Sequence, residues 1–223
     1  MSSIFSFSDI QGCMETGRIR LYPLEESHFE NLLDIGQEPR IWMHYPVDLS
    51  KTDRHLQHLK EIWRQVQSGV CHAFTIVDIH KKCPVGMTRL FNFQAQHRQG
   101  ETGSWLSPAY WGTHANREAK FLLLRFCFEE LHLLRVQFRT DVRNTRSRRS
   151  LEKLGAQMEG IVRKERVLED GSIRDAALYS ILDTEWPEVK AALARDLITL
   201  EGVDLHPPFM GSTESSYSPL NAA

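Results

Sequence analysis

The residues best suited to chemistry lie in one stretch of the 223-residue chain, between Glu101 and Leu131. A strand-like run over 103–106 breaks at Ser107-Pro108. A tight polar turn, Trp111-Gly112-Thr113-His114-Ala115-Asn116, then leads into a helix expected over 117–131. The first N–H groups of a helix have no partner within it, and the helix dipole puts positive potential there, so this arrangement makes an anion site. The turn therefore suggests a phosphate-bearing ligand, with Arg117 the nearest fixed positive charge. The helix is apolar on most sides (Ala119, Phe121 to Leu124, Phe126 to Phe128), which predicts burial against a sheet.

Other chemistries find less support. Four cysteines, Cys13, Cys71, Cys83 and Cys127, are widely spaced with no C-x-x-C pair, the pattern of reduced, mostly buried thiols in a cytoplasmic protein. Cys127 falls on the apolar helix, where a thiol is inert. Ten histidines are scattered without H-x-x-x-H or H-E-x-x-H spacing, so no metal site is expected. The basic run Arg143, Arg146, Arg148 and Arg149 admits a nucleic-acid reading. A net charge of −2 gives no overall pull toward nucleic acid or an anionic membrane, and a solvated helix face or a nucleotide-phosphate contact accounts for the run more simply. No apolar run reaches the roughly 20 residues that span a bilayer, and the N-terminus lacks a basic, apolar leader.

The elements that must position these residues follow from periodicity. A composition of 41% hydrophobic and 25% charged residues suits a globular chain, and the length suits one domain with tails. A Ser-rich arm is expected over 1–16, a folded domain over 17–201, and a Pro/Ser-rich disordered tail over 202–223. Within the domain, alternation at 18–23 reads as a strand ended by Pro23. Phe29, Leu32, Leu33 and Ile35 mark a helix stopped by Gly36, and Leu56, Leu59, Ile62, Trp63 and Val66 a second one capped by Ser50 or Thr52. Between them, Pro39 and Pro46 bracket a loop holding Trp42, His44 and Tyr45. Strands over 71–77, 84–93 and 101–106 form an antiparallel meander. After the central helix come a strand at 134–140, a short basic helix at 144–154, two strands at 156–168 and 173–182 joined by Glu169-Asp170-Gly171, and a last helix at 185–197. The helix between 101–106 and 134–140 makes a parallel crossover. The expected fold class is therefore α/β, a mixed, mostly antiparallel twisted sheet with flanking helices.

That order, together with RIRLYPLEESHFENLL, SWLSPAYWGTHANREAKFLLLRFCFEEL, RVQFRTDVRNTRSRRSLEKLGAQMEG and VLEDGSIRDAALYSILDTEWPEV, resembles the GCN5-related N-acetyltransferase superfamily, and within it the RimJ/RimL-like branch, over about 17–193. The resemblance implies acetyl transfer from acetyl-CoA as cosubstrate to a primary amine, on a protein N-terminus or a small molecule. The family's turn follows Q/R-x-x-G-x-G/A, and its backbone N–H groups hold the pyrophosphate. Laid on this chain, the six positions are Trp111, Gly112, Thr113, His114, Ala115 and Asn116. His114 and Asn116 thus stand where glycines are expected. Asn116 tolerates left-handed backbone, whereas His114 would either crowd the phosphates or add charge when protonated. Trp105, Leu106 and Ser107 match the splayed strand whose free edge pairs with the pantetheine arm through backbone.

Asn144 matches the residue that hydrogen-bonds the cofactor arm, and it reads equally as a helix N-cap. The tyrosine that many members carry seven residues later is Leu151 here. Ser147 occupies the place of the serine that the RimL-like branch offers to the departing thiolate. Acyl transfer to an amine also needs a proton acceptor. Glu165 lies close to the branch's carboxylate, and Glu101, opening the meander's last strand, is its rival. His44 and Tyr45 are candidates for lining the amine pocket. The implied mechanism is direct attack, because no nucleophile–base pair stands out. The alternative is a non-catalytic CoA- or peptide-binding module of the same fold, prompted by the absent tyrosine and glycines. A cytoplasmic monomer or homodimer, with an amine substrate and no membrane partner, is expected.

Overall fold

The computed structural model describes residues 12–198. Residues 1–11 of the expected arm, the boundary at 201 and the whole of the expected tail lie outside them. In chain order the strands are β1 (Met14–Glu15), β2 (Ile19–Pro23), β3 (His72–Asp78), β4 (Cys83–Gln94), β5 (Gln99–Leu106), β6 (Arg135–Asp141), β7 (Gln157–Val167) and β8 (Ile173–Leu182). The helices are α1 (Phe29–Gly36), α2 (Thr52–Gln67), α3 (Ala115–Arg125), α4 (Thr145–Leu154) and α5 (Trp186–Ile198).

All eight strands join one sheet in the order β1-β2-β3-β4-β5-β6-β8-β7. Every pairing is antiparallel except β5 with β6, the two strands that the α3 crossover connects. The expected α/β class and mixed sheet are therefore what the chain adopts. Two expectations need correcting. Neither Ser50 nor Thr52 caps α2, whose N-cap is Lys51 with no side-chain bond, since the helix already includes Thr52. Residues 14–15, read as part of a loose arm, form β1 against β2, with Met14 opposite Leu21 and buried in the core. Two residues are too few to show a period, so only the tertiary partner reveals the strand.

The sheet divides the core into two clusters. On one face α1 and α2 pack Leu32, Leu59 and Ile62 against Met87 and Trp105. On the other, α3 packs Ala119, Phe121 and Leu122 against Leu90, Leu106 and Phe138, with Trp186 of α5 behind it. The expected burial of the apolar helix is thus met. Its last turn widens into a π-turn over Phe126–Glu130, where Leu131 N–H reaches back to the Phe126 carbonyl at 3.0 Å. Burial pushes the Cys71 thiol up to about 11 and raises that of Cys127 further, so neither is a nucleophile.

Candidate active site

The site begins with a change in pairing. β5 and β6 are bonded only from Gln99↔Arg135 to Thr102↔Phe138. Beyond that point β5 stays with β4 as far as Leu106, and β6 stays with β8 as far as Asp141. The two strands therefore part after Thr102 and Phe138, and a cleft of about 690 Å³ opens through the sheet. Side chains alternate between faces along each strand. Met87, Arg89 and Phe91 oppose Trp105, Gly103 and Glu101, and Glu101 opposes Gln137, so these residues share the α1/α2 face. Leu90, Leu106 and Phe138 share the α3 face.

At the α3 end, Gly112 takes φ +76°, a left-handed value that glycine adopts without strain. Thr113 Oγ1 donates to the Tyr110 carbonyl at 2.8 Å and accepts the Ala115 amide at 3.3 Å. This starts α3 two residues before the expected 117. The first helical bond runs from Glu118 N–H to the His114 carbonyl, at 3.0 Å. Among the described residues, the amides of Gly112, His114 and Asn116 meet no acceptor. Trp111, Gly112, Thr113, Asn116 and Arg117 line the cleft, together with Arg146 and Arg149. The Arg146 guanidinium lies 3.3 Å above the Trp111 ring, a cation–π contact. Burial lowers its pKa, without neutralising a guanidinium.

His114 and Ala115 do not line the cleft, so the imidazole at the first expected glycine position does not fill it; its Nε2 is buried with no partner among the described residues. Asn116 donates through Nδ2 to Ser150 Oγ at 2.8 Å, which ties α3 to α4. Trp105 and Leu106 line the cleft while packing into opposite core clusters, and the Leu106 carbonyl accepts from Trp111 Nε1 at 3.0 Å. Ser107 stands off the cleft, its amide bonded to the Val85 carbonyl. Asn144 caps α4, with Oδ1 accepting from Ser147 N–H at 3.0 Å, and its Nδ2 stays available on the cleft wall. Ser147 also lines the cleft, as does Leu151.

The α1/α2 end holds the acid–base candidates. Glu101 is buried on the cleft wall, and its Oε2 accepts from Asn92 Nδ2 at 3.2 Å and Gln137 Nε2 at 3.1 Å, with Arg139 3.9 Å away. No donor among the described residues reaches its Oε1. Glu165 is placed differently, with no part in the cleft lining. Arg174 meets its Oε2 at 2.8 Å, while Arg166 at 3.3 Å and Arg139 at 3.5 Å meet Oε1. Burial pushes its carboxyl up, but the three arginines outweigh that and hold it below the usual carboxylate range. His44 and Tyr45 both line the cleft, with Tyr45 bonded to His58 at 3.2 Å. Burial pushes the His44 pKa down. Tyr110 also reaches the cleft, yet its hydroxyl donates to Asp78 at 2.9 Å, and burial raises its pKa.

Residues 18–157 match the model of the acetyltransferase (GNAT) domain. The chain belongs to the GNAT acetyltransferase family. A Bacillus subtilis (strain 168) protein named "Putative ribosomal N-acetyltransferase YdaF" is 27% identical over 178 residues, covering 78% of this chain and 96% of that protein. A solved structure from T. thermophilus, described as a "putative acetyltransferase", is 36% identical with a TM-score of 0.75 and covers 83% and 97% of the two chains. Mycobacterium smegmatis RimJ, solved in complex with CoA-disulfide, shares the fold at 18% identity, with a TM-score of 0.73 over 84% and 95% of the two chains. No helix among the described residues is long and apolar enough to cross a membrane.

Several residues of this GNAT site were not singled out from sequence. Lys120, one helical turn beyond Asn116, is buried with its Nζ 5.1 Å from the Phe138 ring centroid and lines the cleft where the strands part. It has no ion pair among the described residues, and burial lowers its pKa to about 8. A lysine inside the apolar run Ala119 to Leu124 was the available signal. Arg89, Arg139, Asn92 and Gln137 carried none, because only strand register brings them to Glu101.

Proposed function

We propose that this acetyltransferase takes its acetyl group from acetyl-CoA and passes it, by direct attack, to a primary amine on a protein N-terminus or a small molecule. The observation that carries the reading is a cleft crossing the sheet, with unpartnered helix amides and cations at one end and a buried carboxylate with a free oxygen at the other. The amides of Gly112, His114 and Asn116, with Arg146 and Arg149 beside them, suit a pyrophosphate. The edge of β5 beyond Thr102, released from β6, suits an extended arm that pairs with backbone, and Asn144 Nδ2 adds a donor.

Acetyl-CoA supplies an activated thioester. Glu101 Oε1 takes the proton of the attacking amine, directly or through one water. Backbone N–H groups on the free edge of β5 polarise the carbonyl. As the C–N bond forms and the C–S bond breaks, the departing thiolate takes up a proton. Ser147 and Lys120 both face the cleft, and Lys120 is the better donor. Its pKa of about 8 lies close to that of a thiol, near 8.5, whereas an alcohol's is far higher. Holding amine and thioester in line contributes on the order of 7–11 kcal/mol where alignment is good. Glu165, with both oxygens engaged by arginines, acts instead by fixing Arg139 and Arg174. The name of the B. subtilis relative favours a ribosomal-protein amine as acceptor, and four free cysteines favour the reducing cytoplasm.

The test is calorimetric titration with acetyl-CoA and with CoA, followed by an amine panel read by thiol release. Saturable micromolar binding with turnover of at least one amine is expected. Binding without turnover of any amine would favour the non-catalytic module. No binding at millimolar cofactor would overturn the pyrophosphate assignment.

A further inference from the structure

Resting on the acetyl-transfer reading, we infer that the acceptor carries a carboxylate within two residues of its amine, received by Arg89 while Glu101 receives the amine. Arg89 stands half-buried on the cleft wall, on the same face as Glu101. Its guanidinium lies over the Phe91 ring at 4.3 Å, which fixes the fork against an apolar support. Arg135 and Arg139 on β6 and Arg174 on β8 each have a carboxylate partner. Arg89 has none among the described residues. His58 stays neutral beside it, because burial and then the charge of Arg89 push the imidazole pKa down to about 4.

Space and spacing agree with a ligand there. Gly103 is the cross-strand partner of Arg89, and it presents no side chain to the cleft. A methyl group at Gly103 would touch only the Phe91 ring, at 3.4 Å. Glu101 opposes Phe91, so Arg89 and Glu101 are diagonal neighbours, about 7–8 Å apart at the backbone. Both side chains line the cleft from there, so an amine and a carboxylate on one small molecule, or on the first two residues of a peptide, can meet the two together. The sign of the wall points the same way. Among the described residues, Arg89, Arg139, Arg143, Arg166 and Arg174 face Glu101, Asp141 and Glu165 at this end, and this excess of positive charge repels polyamines and other polycations. The chemistry is shared by two sources, a free amino acid and the N-terminus of an acidic peptide.

The experiment measures acetyl-CoA-dependent kcat/KM on tetrapeptides that differ only in carrying Glu, Gln or Lys at the second position, alongside free glutamate and aspartate. The wild-type enzyme should prefer the Glu peptide, or the free amino acids, over the Gln peptide by about tenfold or more, and reject the Lys peptide further. In Arg89→Gln that ratio should fall toward one, and in Arg89→Glu it should invert in favour of Lys. Calorimetric binding of acetyl-CoA to each variant verifies that it is folded. Faster turnover of free amino acids than of acidic peptides assigns the first source, and the reverse assigns the second. Equal rates on the Glu and Gln peptides with free glutamate and aspartate no faster than either, or a preference that survives Arg89→Gln, overturn this inference and leave acetyl transfer intact. Failure to acetylate any amine overturns both.

Discussion

The two ends of the cleft are built on different principles. The α3 end is mainly backbone: a glycine turn, the amides of one helix N-terminus, a strand edge and the cap of α4, nearly all within 102–147. The α1/α2 end is side chains, with Arg89 from β4, Glu101 from β5, Arg139 from β6, Arg174 from β8 and Tyr45 from a loop. The difference shows how each end can change. Recognition through amides survives replacement of glycines, provided the new side chains find other places. His114 stays off the cleft wall, and Asn116 turns its side-chain amide to Ser150. Recognition through guanidinium and carboxylate groups changes whenever one residue changes. The α3 end therefore suits a constant ligand and the other end a variable one.

This contrast breaks most sharply at the carboxylates. Glu101→Gln should lower kcat by roughly 10²–10³, within the range for losing a general base, with acetyl-CoA affinity measured by calorimetry nearly unchanged. Glu165→Gln should do the reverse. Removing the charge that holds three arginines should cost about 2–4 kcal/mol of stability in denaturant unfolding, with a smaller loss of rate. Equal rate losses in the two variants would return Glu165 to the role of base.

Lys120→Met comes next, with an expected 10–100-fold loss of kcat, roughly the low end for a general acid. It also carries a pH signature. Folding lowers the Lys120 pKa from 10.5 to about 8, so between those values the unfolded chain holds more of the proton and stability rises with pH. The rise is at most about 3 kcal/mol. Lys120→Met should abolish that part of the rise and be the more stable protein at neutral pH. Identical pH profiles of unfolding in the two proteins would show that Lys120 is not buried as a strained cation. Asn144→Ala gives the smallest effect, weakening acetyl-CoA binding by about tenfold and costing about 1 kcal/mol for the lost cap.

Much of the α3 end was legible beforehand because its parts lie close in the chain. The cap at Asn144 and the parallel crossover are local signals that sit where spacing placed them, whereas the turn from Trp111 ends at His114, because α3 starts at Ala115. Ser107 and Ala115 belonged to the same local pattern but stand off the cleft, since a pattern ranks neighbours without orienting them. Between Glu101 and Glu165 the sequence offered no choice. A carboxylate's partners at 3 Å are set by register, and the shift in β7·β8 pairing between Val162 and Arg166 hands Glu165 to its arginines.

By itself the sequence determined the order of elements from β2 onward, the mixed sheet and the polar turn that opens α3, because helix and strand periods and turn residues depend on positions a few apart. Only the tertiary structure decided, among the described residues, which carboxylate keeps a free oxygen, which lysine is buried without an ion pair and which arginine lacks a counter-charge. Those properties depend on electrostatic and steric neighbours that are tens of residues away in the chain and become adjacent only when the strands pair.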